Sequence, residues 1–125
     1  VLYSAWTGSG GHDSLYGGGG NDTFFVSKAN ASVNIAAGAT AAFIYNFEDG
    51  SDKIGLTGFG FSSSVQPSMK ITSSVSAGSD AQILQVSGSN QVTVVVNGTA
   101  ATGGDYAIIK VTGVTTLDLN DFTFN

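Results

Sequence analysis

"GSGGHDSLYGGGGNDTFFV" (residues 8–26) sets glycines beside two aspartates and then changes at once to large apolar residues. The stretch divides without a gap into two nonapeptides, GSGGHDSLY (8–16) and GGGGNDTFF (17–25). Each has glycine at its first, third and fourth positions, aspartate at its sixth and an apolar residue at its eighth. A flexible glycine-rich linker needs no such register. The stretch is therefore interpreted as a structural repeat.

The nine-residue register also extends beyond the glycines on both sides. Its eighth position forms an apolar column that is expected to point inward: Trp6, Leu15, Phe24, Val33 and Ala42. Its sixth position reads Ser4, Asp13, Asp22, Ala31 and Thr40. The core-facing column thus continues past the repeats, whereas carboxylates occupy only two turns.

The glycine positions indicate a metal loop. Glycine accepts positive φ values and has no side chain, so such a turn can expose several backbone carbonyls on one side. The aspartate at the sixth position adds a carboxylate to the same concavity. This all-oxygen ligand set suits Ca²⁺, which takes about six to eight oxygens at about 2.3–2.6 Å. A phosphate loop is disfavoured, because no helix pattern follows the glycines and the sequence lacks GKS or GKT.

Composition excludes several functions. Nine acidic residues against four lysines give a net charge of −5, which disfavours nucleic acid as a partner. No apolar run is long enough to span a membrane. With His12 as the single histidine and no cysteine, zinc sites and the common catalytic motifs are excluded within this chain. Solvated surface is preferred over a catalytic carboxylate pair for the remaining acids: Asp80, Asp105, Asp118 and Asp121. We expect no catalytic residue.

The chain beyond the repeats predicts an all-β fold. Segments of strand length, separated by Gly, Ser and Asn turns, occur at 43–47, 52–56, 69–75, 81–88, 91–98, 106–114 and 121–124. The four segments between residues 69 and 114 are expected to be antiparallel, and no segment has a sustained helical period. The start, VLYSAWTG, is interpreted as the cut edge of a longer polypeptide. The large aromatics are expected in the core rather than on a sugar-binding platform: Phe24, Phe25, Phe43, Tyr45, Phe47, Phe59 and Phe61.

Four segments resemble the repeats-in-toxin (RTX) family of calcium-binding bacterial exoproteins and related secreted chains. The second nonapeptide matches the RTX repeat at every defining position: Gly17, Gly18, Gly20, Asp22 and Phe24. The first matches at Gly8, Gly11, Asp13 and Leu15, with Ser9 in place of the second glycine. YNFEDGSDKIGLTGFG (45–60) is similar to the segment after the repeats in serralysin-type C-terminal domains, with Asn46 and Gly55 where that family usually has aspartates. LDLNDFTFN (117–125) resembles the last strand of many type I secreted chains.

The resemblance implies a short right-handed parallel β-roll, capped by antiparallel strands that form a sandwich-like C-terminal part. Each nonapeptide is then half a coil, so that Asp13 and Asp22 lie on opposite edges and cannot share a site. Their same-edge neighbours would be Ala31 for Asp13, and Ser4 and Thr40 for Asp22. One or two calcium ions are expected, completed by Asp49 or Asp52, Asn46, upstream repeats or water. The implied metal residues are Gly8, Ser9, Gly11, Asp13, Gly17, Gly18, Gly20, Asp22 and Asp52.

The resemblance also implies a function and a location. Residues 1–45 would be the end of the roll and residues 46–125 its cap and secretion signal, in one continuous domain. The module would fold on calcium outside a Gram-negative cell and address a larger exoprotein to the type I secretion machinery. Two alternatives stay open. The module could be a carbohydrate- or host-binding adhesin with structural calcium, or the accessory domain of a secreted protease, lipase or polysaccharide-modifying enzyme.

Overall fold

A computed structural model describes residues 2–6, 13–28, 42–73, 82–97 and 106–124. Within these residues the chain forms ten strands and a 3₁₀ helix, Leu119–Asp121. The strands are β1 (Leu2–Trp6), β2 (Asp13–Tyr16), β3 (Thr23–Lys28), β4 (Ala42–Tyr45), β5 (Lys53–Thr57), β6 (Ser68–Ile71), β7 (Gln82–Ser87), β8 (Gln91–Asn97), β9 (Tyr106–Thr112) and β10 (Phe122–Phe124). The prediction of an all-β fold is confirmed.

Two sheets divide these strands between them. The parallel sheet has the order β1-β3-β5-β10, and every neighbouring pair in it is parallel. The mixed sheet has the order β2-β4-β9-β8-β7-β6. Strands β1 to β5 alternate between the two sheets along the chain, which is the path of a coil. The first half of the chain contributes β1, β3 and β5 to the parallel sheet and β2 and β4 to the mixed sheet. The second half contributes β10 to the parallel sheet and β6 to β9 to the mixed sheet.

The mixed sheet changes its pairing at β9. On one side β9 runs parallel to β4, and on the other it is antiparallel to β8, which is antiparallel to β7. The predicted antiparallel arrangement is thus confirmed for β7, β8 and β9. It was wrong for β6, which pairs with β7 in parallel. Parallel neighbours cannot be joined by a tight turn, so β6 and β7 do not form a hairpin.

One hydrophobic core fills the space between the sheets. In β4 buried and partly exposed residues alternate, as in a pleated strand that is covered on one face. In β5, β7 and β8 three or four consecutive residues are buried, so the other face of these strands is partly covered as well. The parallel sheet contributes Phe24, Val26, Ile54, Leu56 and Phe122, and the mixed sheet contributes Leu15, Ala42, Ile44, Ile83, Val92, Val94, Ile109 and Val111. The loop aromatics Phe47, Phe59 and Phe61 join the same core. The aromatics Phe25, Phe43 and Tyr45 are only partly buried, so the expectation that they are core residues was wrong.

The coil spacing differs from the nonapeptide register. Phe24 lies beside Leu2 rather than Trp6, and Leu15 lies beside Ile44 rather than Val33. The physical reason is the length of chain between successive strands. The connection from Lys28 to Ala42 is longer than a nonapeptide loop, so β4 enters the mixed sheet at a later residue than the register predicts. The column positions Ala31, Val33 and Thr40 lie outside the described residues.

Candidate functional site

The second nonapeptide forms the loop between β2 and β3, residues 17–22. Gly18 and Gly20 have φ values of +76° and +98°, a region that side-chain-bearing residues rarely adopt. At Gly17 a Cβ atom would lie 2.7 Å from the ring of Phe24 and 2.9 Å from Oδ2 of Asp22. The glycines therefore let the loop close over its own aspartate and over the first core aromatic of β3.

Asp22 and Asp52 are brought together where β3 and β5 begin. Thr23 pairs with Lys53 in the parallel sheet, so the two preceding aspartates are neighbours along this edge. The backbone N–H of Asp22 donates to Oδ1 of Asp52 at 2.9 Å, and that of Lys53 donates to the carbonyl of Asp22 at 2.8 Å. The sequence register gave Asp22 the neighbours Ser4 and Thr40. That register was wrong, because it assumed equal coils.

The Asp52 carboxylate is completely buried and both its oxygens are used. While Oδ1 accepts from Asp22, Oδ2 accepts the backbone N–H of Glu48 at 2.9 Å. The N–H of Asp52 itself returns to the carbonyl of Glu48 at 2.8 Å. We call this arrangement the Asp52 bracket, because it ties the glycine loop to the turn that follows β4. The structural role of Asp52 is observed, whereas its role as a metal ligand stays a prediction.

Oδ2 of Asp22 differs from the other buried polar atoms. In the part of the chain that the structure describes, it is the buried side-chain oxygen without a hydrogen-bond partner. An unpaired carboxylate oxygen held away from water is costly, and a bound cation is one of the few groups that compensates it. Together with the carbonyls of the glycine loop, its chemistry fits a hard cation such as Ca²⁺.

The remaining predicted ligands contribute less to this site. Asp13 begins β2 in the mixed sheet, opposite Ala42, so it does not share the sheet of Asp22, as the register predicted. Gly8, Ser9 and Gly11 lie outside the described residues. Within the described ranges, no group of three His, Cys, Asp or Glu residues is placed to hold a metal ion. The metal roles of these residues therefore stay predictions.

Gly55 and Asn46 stand where serralysin-type domains usually have aspartates, and the structure shows the surroundings of both residues. Gly55 is buried in the middle of β5, opposite Phe25 of β3. A Cβ atom there would overlap the Phe25 ring, so the ring occupies the space that an aspartate side chain would need. Asn46 is exposed, has a φ of 58° and donates its N–H to the hydroxyl of Thr112 at 3.1 Å. Neither position carries a carboxylate into the site.

A second cluster of carboxylates surrounds the C-terminal 3₁₀ helix. Asp118 Oδ1 accepts the N–H of Asn120, and Asp121 Oδ2 accepts the N–H of Asp118, both at 2.8 Å, which forms a capping box. Asp121 is buried, against the sequence expectation of a solvated side chain. Burial raises the pKa of Asp121 above its usual 3.8, and the charges of Asp118 and Asp49 and a side-chain hydrogen bond to Asp49 raise it further. The Asp-x-x-Asp spacing is the signal that could have indicated this cap.

This raised pKa predicts a pH dependence of stability. The folded state retains the Asp121 proton to a higher pH than the unfolded state does, so stability falls as pH rises from about 4 through the folded pKa. Asp121→Asn keeps an acceptor for the Asp118 N–H but cannot ionise. We expect its urea midpoint to fall less than that of wild type between pH 4 and 7. Parallel pH profiles of the two proteins would contradict the expectation.

The C-terminal segment is also held by a buried amide that the sequence did not reveal. Gln85 of β7 is 2% exposed and points into the core. Its Oε1 accepts the N–H of Leu117 at 2.8 Å, and its Nε2 donates to the carbonyl of Leu117 at 2.6 Å. The side chain thus replaces one step of strand pairing. We call this pair of hydrogen bonds the Gln85 clamp.

Comparison with known proteins adds one finding. A family model described as Peptidase M10 serralysin C terminal matches residues 1–124. No curated protein matches the chain. Among the described residues, no helix is both long and apolar enough to cross a membrane.

Proposed function

Because the chain belongs to the Peptidase M10 serralysin C-terminal family, we propose that it folds on calcium outside the cell, caps the β-roll and addresses a larger exoprotein for secretion. The family consists of RTX-type calcium-binding domains of secreted serralysin-like proteins. They are the non-catalytic C-terminal part of those proteins. Beyond these family properties, we propose the residues that bind calcium in this chain, the effect of calcium binding on its folding, and the segment that directs its export.

The observation that carries the calcium proposal is the buried, unpartnered Oδ2 of Asp22. Asp22 would supply this oxygen, and the carbonyls of Gly17, Gly18 and Gly20 would supply others. The Asp52 bracket fixes the backbone of Asp22 and so limits where its carboxylate can point. Calcium, when bound, supplies the positive charge that compensates this desolvated carboxylate. Gly8, Ser9, Gly11 and Asp13 are proposed for a separate loop at the opposite edge.

The proposed mechanism is linkage between binding and folding. Any ion that binds only the folded chain stabilises it by RT ln(1 + [L]/Kd). For extracellular-type sites of about 10⁻⁴–10⁻³ M, 10 mM calcium contributes about 1–3 kcal/mol per site. Where free calcium is scarce this contribution is absent, and the chain stays closer to the unfolded form that an exporter can thread. Outside the cell, binding retains it in the folded form.

Calorimetry of wild type and Asp22→Asn tests the calcium site. We expect 10 mM calcium to raise the melting temperature of wild type by several degrees, since about 1–3 kcal/mol has that effect on a chain of this size. Asp22→Asn should lose most of this rise. In chelator the variant should melt no lower than wild type, because it removes a buried carboxylate oxygen that has no partner.

Glu48→Gln is the matched control for the Asp22 experiment. It removes the same charge from the neighbouring turn, but its side chain is exposed and only its backbone joins the Asp52 bracket. Its calcium response should stay close to that of wild type. A wild-type melting temperature indifferent to calcium and chelator would contradict the proposal, as would equal losses in the two variants.

The cap and the export signal are proposed for residues 46–125, with the roll end at 1–45 in the same continuous domain. Strand β10 closes one edge of the parallel sheet by pairing Phe122 with Ile54 and Phe124 with Leu56. This supports a capping role for the C-terminal segment. Leu117, Asp121 and Phe122 are buried in the fold, so the type I machinery is proposed to read residues 117–125 before folding. Fusing these residues to an unrelated passenger protein and measuring its export would test that role.

A further inference from the structure

The outward face of the mixed sheet carries a continuous, partly exposed surface that the calcium proposal does not use. We call it the aromatic face. It has two rows of side chains that alternate with the buried core residues of β2, β4, β9, β8 and β7. One row is Ser14, Phe43, Lys110, Thr93 and Val86, and the other is Tyr16, Tyr45, Thr112 and Gln91.

Three aromatic rings form one side of this face. Tyr16 is 61% exposed, at the edge strand of the sheet. Its ring stacks on that of Tyr45, with centroids 4.6 Å apart and planes 11° apart. Tyr45 in turn lies 6.0 Å from Phe43, with planes 13° apart. Rings fixed in this way lose little side-chain entropy when a ligand covers them, which makes them an effective platform.

The charge of the aromatic face is opposite to that of the chain. The nine side chains that define it include one cation, Lys110, and no carboxylate, whereas the whole chain has a net charge of −5. The Lys110 ammonium lies 5.6 Å from the centroid of the Phe43 ring, which holds the cation beside the aromatic group. Thr93 lies opposite Lys110 on the next strand and adds a hydroxyl.

We propose that the aromatic face binds an acidic polysaccharide, a sugar chain that carries carboxylates. Sugar rings have apolar C–H faces and polar rims, so they suit a surface of aromatic rings edged by hydroxyl and amide groups. The Lys110 ammonium would pair with a sugar carboxylate, while Tyr16 and Tyr45 contact a ring. Thr93, Thr112 and Gln91 lie on the same side of the sheet to hydrogen-bond hydroxyls. Nucleic acid fits poorly, since its phosphates require clusters of cations.

Titration calorimetry with a short oligouronate tests this proposal. An oligomer is used instead of a polymer because calcium cross-links long polyuronates. The protein is held at a fixed 1 mM calcium, and a neutral oligoglucan of equal length is the comparison ligand. We expect the oligouronate to bind and the oligoglucan to bind at least about fivefold more weakly. The affinity should fall as salt rises, because the carboxylate pairs with a partly exposed cation.

Two variants locate the binding. Lys110→Gln and Tyr16→Ala should each weaken oligouronate binding on the order of fivefold, as expected for one partly exposed charge or one ring. Lys70→Gln is the matched control, since Lys70 is an exposed lysine on β6, the opposite edge strand of the mixed sheet, three strands from Lys110 and outside the nine residues of the aromatic face. The melting temperature of each variant verifies its fold. Repeating wild type in chelator, at a temperature where it stays folded, separates this surface from the calcium site.

Four results would overturn the proposal. The first is no heat of binding with folded wild-type protein. The second is equal affinity for the acidic and the neutral oligosaccharide. The third is equal affinity of Lys110→Gln and Lys70→Gln, which would place the binding elsewhere. Self-association of the chain that Tyr16→Ala abolishes, without sugar binding, would identify the face as a protein contact and also contradict the proposal.

Discussion

Asp52→Ala should lower the free energy of unfolding by about 3–5 kcal/mol. The Asp52 carboxylate is completely buried and accepts two backbone N–H groups, from Asp22 and Glu48. A hydrogen bond to a charged group contributes about 1.5–3 kcal/mol, and alanine would leave both donors without a partner. Urea denaturation followed by circular dichroism measures the loss. Asp52→Asn retains one acceptor of similar shape and should lose roughly half as much, which provides a second reading if the alanine variant does not fold.

Calcium distinguishes the bracket from a ligand role. If Asp52 acts mainly through the Asp52 bracket, the Asp52→Ala variant should lose a similar amount of stability in calcium and in chelator. The effect of Asp22→Asn, by contrast, should be confined to calcium. Glu48→Gln, whose side chain is exposed, should stay within about 0.5 kcal/mol of wild type in both conditions. A loss for Asp52→Ala that vanishes in chelator would assign Asp52 to the metal instead.

Gln85→Met should cost about 2–5 kcal/mol. Methionine has a similar volume, so the main change is the loss of the Gln85 clamp. The N–H and C=O of Leu117 would then lie unpaired in the core, and each buried orphan group costs about 1–3 kcal/mol. Urea denaturation gives the magnitude. Hydrogen exchange locates it, because the Leu117 amide should be among the groups that lose most protection.

Gln66→Met is the matched control for the clamp. Gln66 is exposed, and its side-chain contact to Ser63 is long, at 3.4 Å. The free energy of unfolding of Gln66→Met should stay within about 0.5 kcal/mol of the wild-type value. If Gln85→Met and Gln66→Met behave alike, the clamp does not hold the C-terminal segment. If Gln85→Met unfolds the chain completely at 25 °C, the same comparison at lower temperature still ranks the two variants.

Strand positions were predictable because their signals are local. β7, β8 and β9 lie within the segments that the sequence indicated, since alternating apolar residues and Gly or Asn turns act over a few neighbours. The pairing of β6 was not predictable in this way. Strand periodicity is the same for a parallel and an antiparallel partner, so the sequence of β6 alone does not reveal that it pairs with β7 in parallel.

The aromatics show the same limit on the scale of single side chains. Phe24 and Phe47 are core residues as predicted, whereas Phe43 and Tyr45 alternate with the buried Ala42 and Ile44 and face outward. All four are large aromatic residues, so residue type alone does not separate them. Which face of a strand meets the core is decided by the register with the neighbouring strands, and a shift of one residue exchanges the two faces.

The sequence by itself determined that this chain is an all-β repeat protein with an oxygen-rich glycine loop, because glycine spacing, the carboxylate at the sixth position and strand periodicity are written in adjacent residues. The resemblance also offered Asp52 as a residue that completes a calcium site with Asp13 or Asp22, without showing which of them it adjoins. Only the tertiary structure showed that Asp22 and Asp52 are neighbours and that both carboxylate oxygens of Asp52 accept backbone N–H groups. It also showed that the Gln85 side chain hydrogen-bonds the backbone of Leu117. The physical reason is that coil length, and hence which residues become neighbours across a sheet, follows from how both sheets fill one core.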